Sequence, residues 1–156
     1  MKMPTMPLRG LVLGSMLVFA LPSRAEPNAC SLLKPSDLNA LLGGVAIATP
    51  NGGACKWTAP GSTRKLLAAR LKASGRGAEM AFAGARSNAG KDGKSKVTDE
   101  AGIGDQAFAV QTSFGVSLFT LKQGRMFELQ YWINAAGTAK DVEALRPVAM
   151  KAAAAF

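Results

Sequence analysis

The sequence contains no histidine, and this absence excludes several kinds of active site. A serine or cysteine nucleophile has no histidine base to work with, and ordinary zinc catalysis lacks its usual ligand. The G-x-S-x-G motif of serine hydrolases is also absent. We therefore expect a protein that is not an enzyme and that holds no metal or cofactor. A histidine-free hydrolase with a serine and lysine pair is the remaining catalytic alternative.

Cysteine is scarce, since Cys30 and Cys55 are the only two in the chain. Their spacing is not the C-x-x-C of redox and metal sites, which is the alternative use of such a pair. In an exported protein two cysteines are expected to pair, because oxidising compartments maintain disulfides. We predict a Cys30–Cys55 disulfide, which closes a loop of about 25 residues and contributes roughly 3 kcal/mol by restricting the unfolded chain.

Long hydrophobic runs are absent apart from residues 11–21, which are too few to span a bilayer as a helix. Basic residues precede this run and a small-x-small sequence ending at Ala25 follows it, as in a secretory signal peptide. We predict a signal peptide at 1–25, cleaved after Ala25, and a single domain at 26–156 that is periplasmic or secreted. Lipidation at Cys30 is the alternative, although the residues before it do not form a lipobox.

Acidic residues are also few, with 10 Asp and Glu against 19 Lys and Arg. The basic excess is concentrated in residues 64–96, which contain only two acids. We hypothesise that this segment binds an anionic envelope component, such as lipid headgroups, lipopolysaccharide or an acidic polymer, or another exported protein. The candidate residues are Arg64, Lys65, Arg70, Lys72 and Arg76. The alternative is a scattered basic surface that serves solubility, and nucleic acid is not expected as a partner.

The hydrophobic pattern predicts an α+β fold, with an antiparallel sheet of five to six strands and helices packed on it. Strands are predicted at 54–58, 65–72, 106–112, 115–121 and 125–133, with short candidates at 45–47 and 94–98. Helices are predicted at 35–42, at 78–86 and from Thr138 onward. Residues 50–53 are expected to form a turn, and the odd-numbered residues of 65–72 are expected to face the core.

The strand at 125–133 divides its side chains between two faces. One face is apolar and consists of Phe127, Leu129, Tyr131 and Ile133. This pattern is typical of an antiparallel sheet with helices on one side. Phe119 and Trp132 would lie on the outer face and are candidate contacts for a small molecule or a protein. The alternative is that the helix at 78–86 covers these rings.

Asp99, Glu100 and Asp105 lie around a glycine-containing turn and are a candidate cation site. Short acids beside glycines more commonly accept hydrogen bonds from turn amides, and we favour this interpretation for Asp105. The turn lacks the third glycine of a phosphate-binding loop.

Three motifs together resemble a known family. The chain reads ACSLLKPSDLNALLGG from Ala29, CKWTAPG from Cys55 and AGIGDQAFAV from Ala101, followed by a strand pair and a C-terminal helix. This order resembles the small extracytoplasmic domain of unknown function common in actinobacterial lipoproteins. The resemblance implies a Mog1/PsbP-like α+β fold and a paired-cysteine clip. The family has no agreed activity, and we predict an exported, noncatalytic binding or accessory module of unknown ligand.

Overall fold

The computed structural model describes residues 29–72 and 75–156, and for residues 67–72 it describes the backbone alone. The predicted signal peptide and its cleavage site lie outside the described residues. In the described ranges no helix has the length and apolar character needed to cross a membrane.

A seven-stranded sheet carries helices on both of its faces. The strands are β1 (Ile47–Asn51), β2 (Ala54–Thr58), β3 (Lys65–Lys72), β4 (Lys96–Asp99), β5 (Gln106–Thr112), β6 (Gly115–Lys122) and β7 (Arg125–Trp132). The helices are α1 (Asn39–Leu42), α2 (Arg76–Asn88) and α3 (Ala139–Ala154), with short 3-10 turns at Ala29–Ser31 and Pro35–Asp37. The strand order is β1-β2-β3-β7-β6-β5-β4, and every neighbouring pair is antiparallel. The α+β prediction is confirmed, with more strands than the five to six expected.

The edge strand β1 begins at Ile47, which was predicted to be the last residue of a short strand at 45–47. Its pairing with β2 continues through Pro50 and Asn51, so the prediction of a turn at these two positions was wrong. Proline has no backbone N–H to donate. An edge strand tolerates it because one side of the strand has no neighbouring strand to bond to. The turn is reduced to Gly52 and Gly53, whose positive φ angles suit a two-residue hairpin connection.

One face of the sheet packs against α3 and the N-terminal segment, and we call this the main core. The apolar side of β7 points here, with Phe127, Leu129 and Tyr131 buried and Ile133 packed against them. α3 contributes its predicted apolar positions, Val142, Leu145, Ala149 and Ala152. Helical spacing therefore identified correctly which side of the last helix is buried.

Leu66 in β3 is also buried in the main core, where it pairs with Trp57 on one side and Tyr131 on the other. The prediction that the odd-numbered residues of this strand face the core was wrong at this position. Alternate residues reach opposite faces of a sheet, and both faces of this sheet are partly covered by helices. The side chains of residues 67–72 lie outside the described residues.

The second face of the sheet packs against α2 and forms a smaller core. Ala78 and Phe82 of α2 lie against Phe108, Leu121 and Met126 of the sheet. The expectation of helices on one side only is therefore corrected. Because α2 is a single helix of 13 residues, it covers only part of this face.

The predicted disulfide is confirmed and joins Cys30, beside the main core, to Cys55 in β2, with the two Cα atoms 4.8 Å apart. A second long-range contact holds the same layer, because the Tyr131 hydroxyl donates to the Leu41 carbonyl oxygen at 3.0 Å. Burial raises the pKa of Tyr131, so this hydroxyl remains a donor at all ordinary pH values. The N-terminal segment is therefore fixed to the sheet at both β2 and β7.

Replacing both cysteines, in C30A/C55A, should lower the free energy of unfolding by about 3 kcal/mol, because the bridge closes a loop with a sequence separation of 25 residues. Urea titration measures this difference. A thiol reductant should destabilise the wild-type protein and leave the variant unchanged. Equal stability of the oxidised wild type and the variant would contradict the stabilising role.

Candidate functional site

The part of the second face that α2 leaves uncovered lies where β3 begins and β7 ends. We call it the open face, and it consists of Lys56, Lys65, Phe114, Ser117, Gln130 and Trp132. The strand register places Lys65, Trp132, Gln130 and Ser117 on one side of the sheet, because Trp132 pairs with Lys65 and Gln130 pairs with Ser117. Lys56 is on the same side because it alternates with the buried Trp57, and Phe114 is there because its ring stacks on Trp132. The open face therefore crosses the centre of the sheet from β2 to β6.

Trp132 is the central aromatic residue of the open face. It is the last residue of β7 and is 45% exposed. Its ring stacks with that of Phe114, which is 62% exposed, at a centroid distance of 6.4 Å and an interplanar angle of 24°. Stacked aromatic rings of this kind present a broad apolar surface with defined orientation.

The backbone of Phe114 is held on both sides, although it lies in the short turn between β5 and β6. Its N–H donates to Thr112 Oγ1 at 3.3 Å, and its carbonyl oxygen accepts from Ile133 N at 3.1 Å. The turn is thus bonded to the end of β7, where Trp132 sits. The backbone beside both rings is therefore held by hydrogen bonds.

Gly115 lies between these aromatic residues in the register, and its backbone leaves no room for a side chain. Its φ angle is 149°, and an added Cβ would lie 2.0 Å from the Tyr131 carbonyl oxygen. Gly115 also lines a hollow of about 230 Å³, together with Phe114, Ser117, Gln130 and Trp132, among others. The Ser117 hydroxyl and the Gln130 amide are polar groups in the lining of this hollow.

A second hollow lies on the other side of Trp132. It has a volume of about 190 Å³ and is lined by Asn51, Lys56, Lys65 and Trp132. In the part of the chain that the structure describes, neither lysine forms an ion pair. The aromatic surface therefore has a positively charged border on its β2 side.

The five candidate anion-binding residues do not form one surface. Lys65 lies on the open face, but Arg64 points toward the N-terminal layer, where its Nη1 is 3.5 Å from the Leu41 carbonyl oxygen. Arg76 is exposed at the start of α2, near the opposite end of β3. The eight residues of β3 separate Lys65 from that end by roughly 20 Å.

The side chains of Arg70 and Lys72 lie outside the described residues. Lys56, which shares the second hollow with Lys65, was not among the predicted residues. It lies outside the basic segment 64–96, and only its place one residue before the buried Trp57 indicated that it faces away from the main core.

Phe119 and Trp132, the two predicted ligand contacts, belong to different environments. Phe119 is half-buried and stacks on Phe108 at 4.7 Å, and Phe108 contacts Phe82 of α2 at 5.1 Å. The alternative that a helix covers the aromatic rings is therefore correct for Phe119 and wrong for Trp132. Phe114 was missed, although an aromatic residue beside a predicted turn was the available signal.

The acidic candidates are used in structural contacts. Asp99 pairs with Arg86 at 2.9 Å, and Glu100 pairs with Arg146 at 2.7 Å. Asp105 accepts a hydrogen bond from Gln123 N at 2.6 Å. This bond, and next the ion pair with a lysine beside it, hold the pKa of Asp105 below its usual range.

The turn-binding interpretation of Asp105 is therefore confirmed, with the turn between β6 and β7 as its target. Across the described ranges no three metal-ligating side chains come together, and Asp99, Glu100 and Asp105 each have another partner.

The serine and lysine spacing S-x-x-K occurs twice, at Ser31–Lys34 and Ser62–Lys65. This spacing brings two side chains to one face only within a helix. Lys34 has extended backbone beyond the first 3-10 turn, and Lys65 opens a strand. Ser62 Oγ accepts from Arg64 N at 3.1 Å. The hydrolase alternative has no geometric support at these places.

No protein-family model matches the chain, and no curated protein or solved structure shows significant similarity to it. The resemblance to the extracytoplasmic family therefore stays a prediction.

The substitution Gly115→Ala should lower the free energy of unfolding by about 1–3 kcal/mol, because the new Cβ forces the backbones of β6 and β7 apart. Gly84→Ala is the control, since this helical glycine has open space around it and alanine should add about 0.5–1 kcal/mol. Urea titration compares the two variants. A G115A protein as stable as the wild type would contradict the assigned close approach.

Acrylamide should quench the fluorescence of Trp132 and not that of Trp57, because Trp57 is 0% exposed. Iodide should quench more strongly than caesium, since Lys56 and Lys65 border the ring. In K56Q/K65Q this difference should largely disappear, and in W132F the quenchable component should be lost. Complete protection of both tryptophans in the wild-type protein would show that the open face is covered in solution.

Proposed function

We propose that the chain is an exported, noncatalytic binding module whose ligand site is the open face. The observation that carries this proposal is the exposed, stacked pair of Trp132 and Phe114, which lies at the end of the central strand β7 on the face that α2 covers only in part. Single exposed apolar residues are normal on protein surfaces, but a positioned aromatic pair between two hollows is typical of a recognition site. A rigid sheet and a bonded turn hold it in place.

The chemistry of the site supports binding more than catalysis. The open face offers apolar rings, an amide, a hydroxyl and two lysines, and both of its hollows open to solvent. Export is supported by the disulfide, which is typical of oxidising compartments, together with the signal-peptide pattern of the sequence.

A shielding experiment tests the proposed function. Acrylamide quenching of Trp132 is followed while the oxidised protein is titrated with neutral and acidic polysaccharides, acidic and basic polypeptides, and neutral and anionic phospholipid vesicles. At least one of these classes should shield Trp132. Failure of every class to shield it would overturn the proposed site.

The ligand found in this way should bind W132A more weakly by about 2 kcal/mol or more, as expected for a tryptophan at the centre of an interface. Calorimetry measures this loss without relying on tryptophan fluorescence. M150A is the matched control, because Met150 is 50% exposed on α3, on the opposite side of the sheet. Equal losses in W132A and M150A would place the ligand elsewhere.

A further inference from the structure

The chemical class of the ligand can be inferred from the charge next to the aromatic pair, an inference that rests on the proposed function. Lys56 and Lys65 are diagonal neighbours on β2 and β3, because Lys65 pairs with Thr58, two residues beyond Lys56. The Cα atoms of diagonal positions are roughly 7–8 Å apart, so two like charges are carried on neighbouring strands, where they repel each other. In the described part of the chain no acid pairs with either lysine. A bound anion would relieve this repulsion.

The aromatic pair selects for a flat ligand with an apolar side. Trp132 and Phe114 stack on each other and both rings stay exposed, so an apolar ring surface is open to the C–H face of a sugar ring. Gln130 Nε2 donates to Glu128 Oε1 at 2.9 Å, which orients the amide and leaves its oxygen available to a ligand hydroxyl. Ser117 lies opposite Gln130 in the pairing of β6 with β7, and its hydroxyl is a second group that can hydrogen-bond to the ligand.

The shape of the open face favours an extended ligand. The two hollows meet at Trp132 and run across β2, β3, β7 and β6. Three strand intervals of about 4.8 Å give a length of roughly 14 Å, which a short segment of polysaccharide can occupy.

Two other anionic partners fit less well. A peptide that binds a sheet by adding a strand needs a free edge, whereas Trp132 lies in the fourth strand from the β1 edge. A lipid surface is attracted by many cations that lie in one plane, whereas Arg64 and Arg76 lie away from the open face.

We propose that the open face binds an acidic polysaccharide, with a sugar ring on Trp132 and Phe114 and its carboxylate groups at Lys56 and Lys65. The neutral parts of the ligand contact the β6 side, and the charge is recognised on the β2 side. Binding then depends on both the ring and the carboxylate.

Polygalacturonate and its fully methyl-esterified form are the probes, because the two polymers share the sugar ring and differ in charge. Polyglutamate supplies carboxylates without a sugar ring. Binding of each to the oxidised protein is measured by calorimetry and by shielding of Trp132 from acrylamide. Polygalacturonate should bind at least about tenfold more tightly than either of the other polymers, and its affinity should fall as salt increases.

Two double variants test whether binding depends on Lys56 and Lys65 in particular or on the positive charge of the protein in general. K56Q/K65Q should weaken polygalacturonate binding about tenfold or more, whereas K94Q/K96Q should change it by less than about twofold. The control removes the same charge at exposed lysines beside and within β4, on the far edge of the sheet. Two measurements verify that each variant is folded: Trp57 should stay protected from acrylamide, and the thermal unfolding temperature should stay unchanged.

Several results would overturn the inference. Equal losses in the two double variants would show that general charge causes the binding. Equal affinity for polyglutamate would identify an acidic polypeptide as the ligand. Tight binding of the methyl ester, or shielding of Trp132 by a neutral ligand alone, would agree with the proposed function. Either result would refute the proposal that the ligand is acidic. No binding of polygalacturonate also refutes it.

Discussion

The pairing of β3 with β7 makes one sheet of two parts of the chain that are far apart in sequence. Leu66 lies beside Tyr131, so the pairing joins β1, β2 and β3 to the meander formed by β4, β5, β6 and β7. Closing so long a loop costs conformational entropy, which burial on both faces must offset. The same pairing places Lys65 next to Trp132 and so creates the open face. The sheet, its two cores and the open face all depend on this pairing of β3 with β7.

The main core and the open face meet at consecutive residues of β7. Tyr131 is buried, and its hydroxyl bonds to Leu41 in the layer that the disulfide holds on the sheet. Trp132 follows directly and points to the opposite face. A contact that stabilises the fold therefore also fixes the orientation of the aromatic residue in the proposed site. Gly115 has a similar double role, since it allows the close approach of β6 to Tyr131 and also lines the hollow beside Trp132.

Much of the fold could be predicted because its signals are local. The alternation in the strand at 125–133, the spacing of apolar residues in α3 and the presence of only two cysteines each indicated the observed arrangement. The candidate site was predicted only in part, through Lys65 and Trp132. Phe119 was assigned to the wrong environment because the position of α2 over one end of the sheet is a property of packing, with no local signal. Lys56 and Phe114 were missed because their local signals do not show which residues of other strands lie beside them.

The sequence by itself determined the fold class, the disulfide, the absence of histidine chemistry, the basic excess and the positions of most strands, because each follows from composition or from short-range periodicity. Only the tertiary structure decided which basic residues lie together and which aromatic residue stays exposed. Those outcomes depend on strand order and on the area that one helix covers. Both are set by long-range packing, in which residues 65 and 132 become neighbours although the sequence separates them by more than half of the domain.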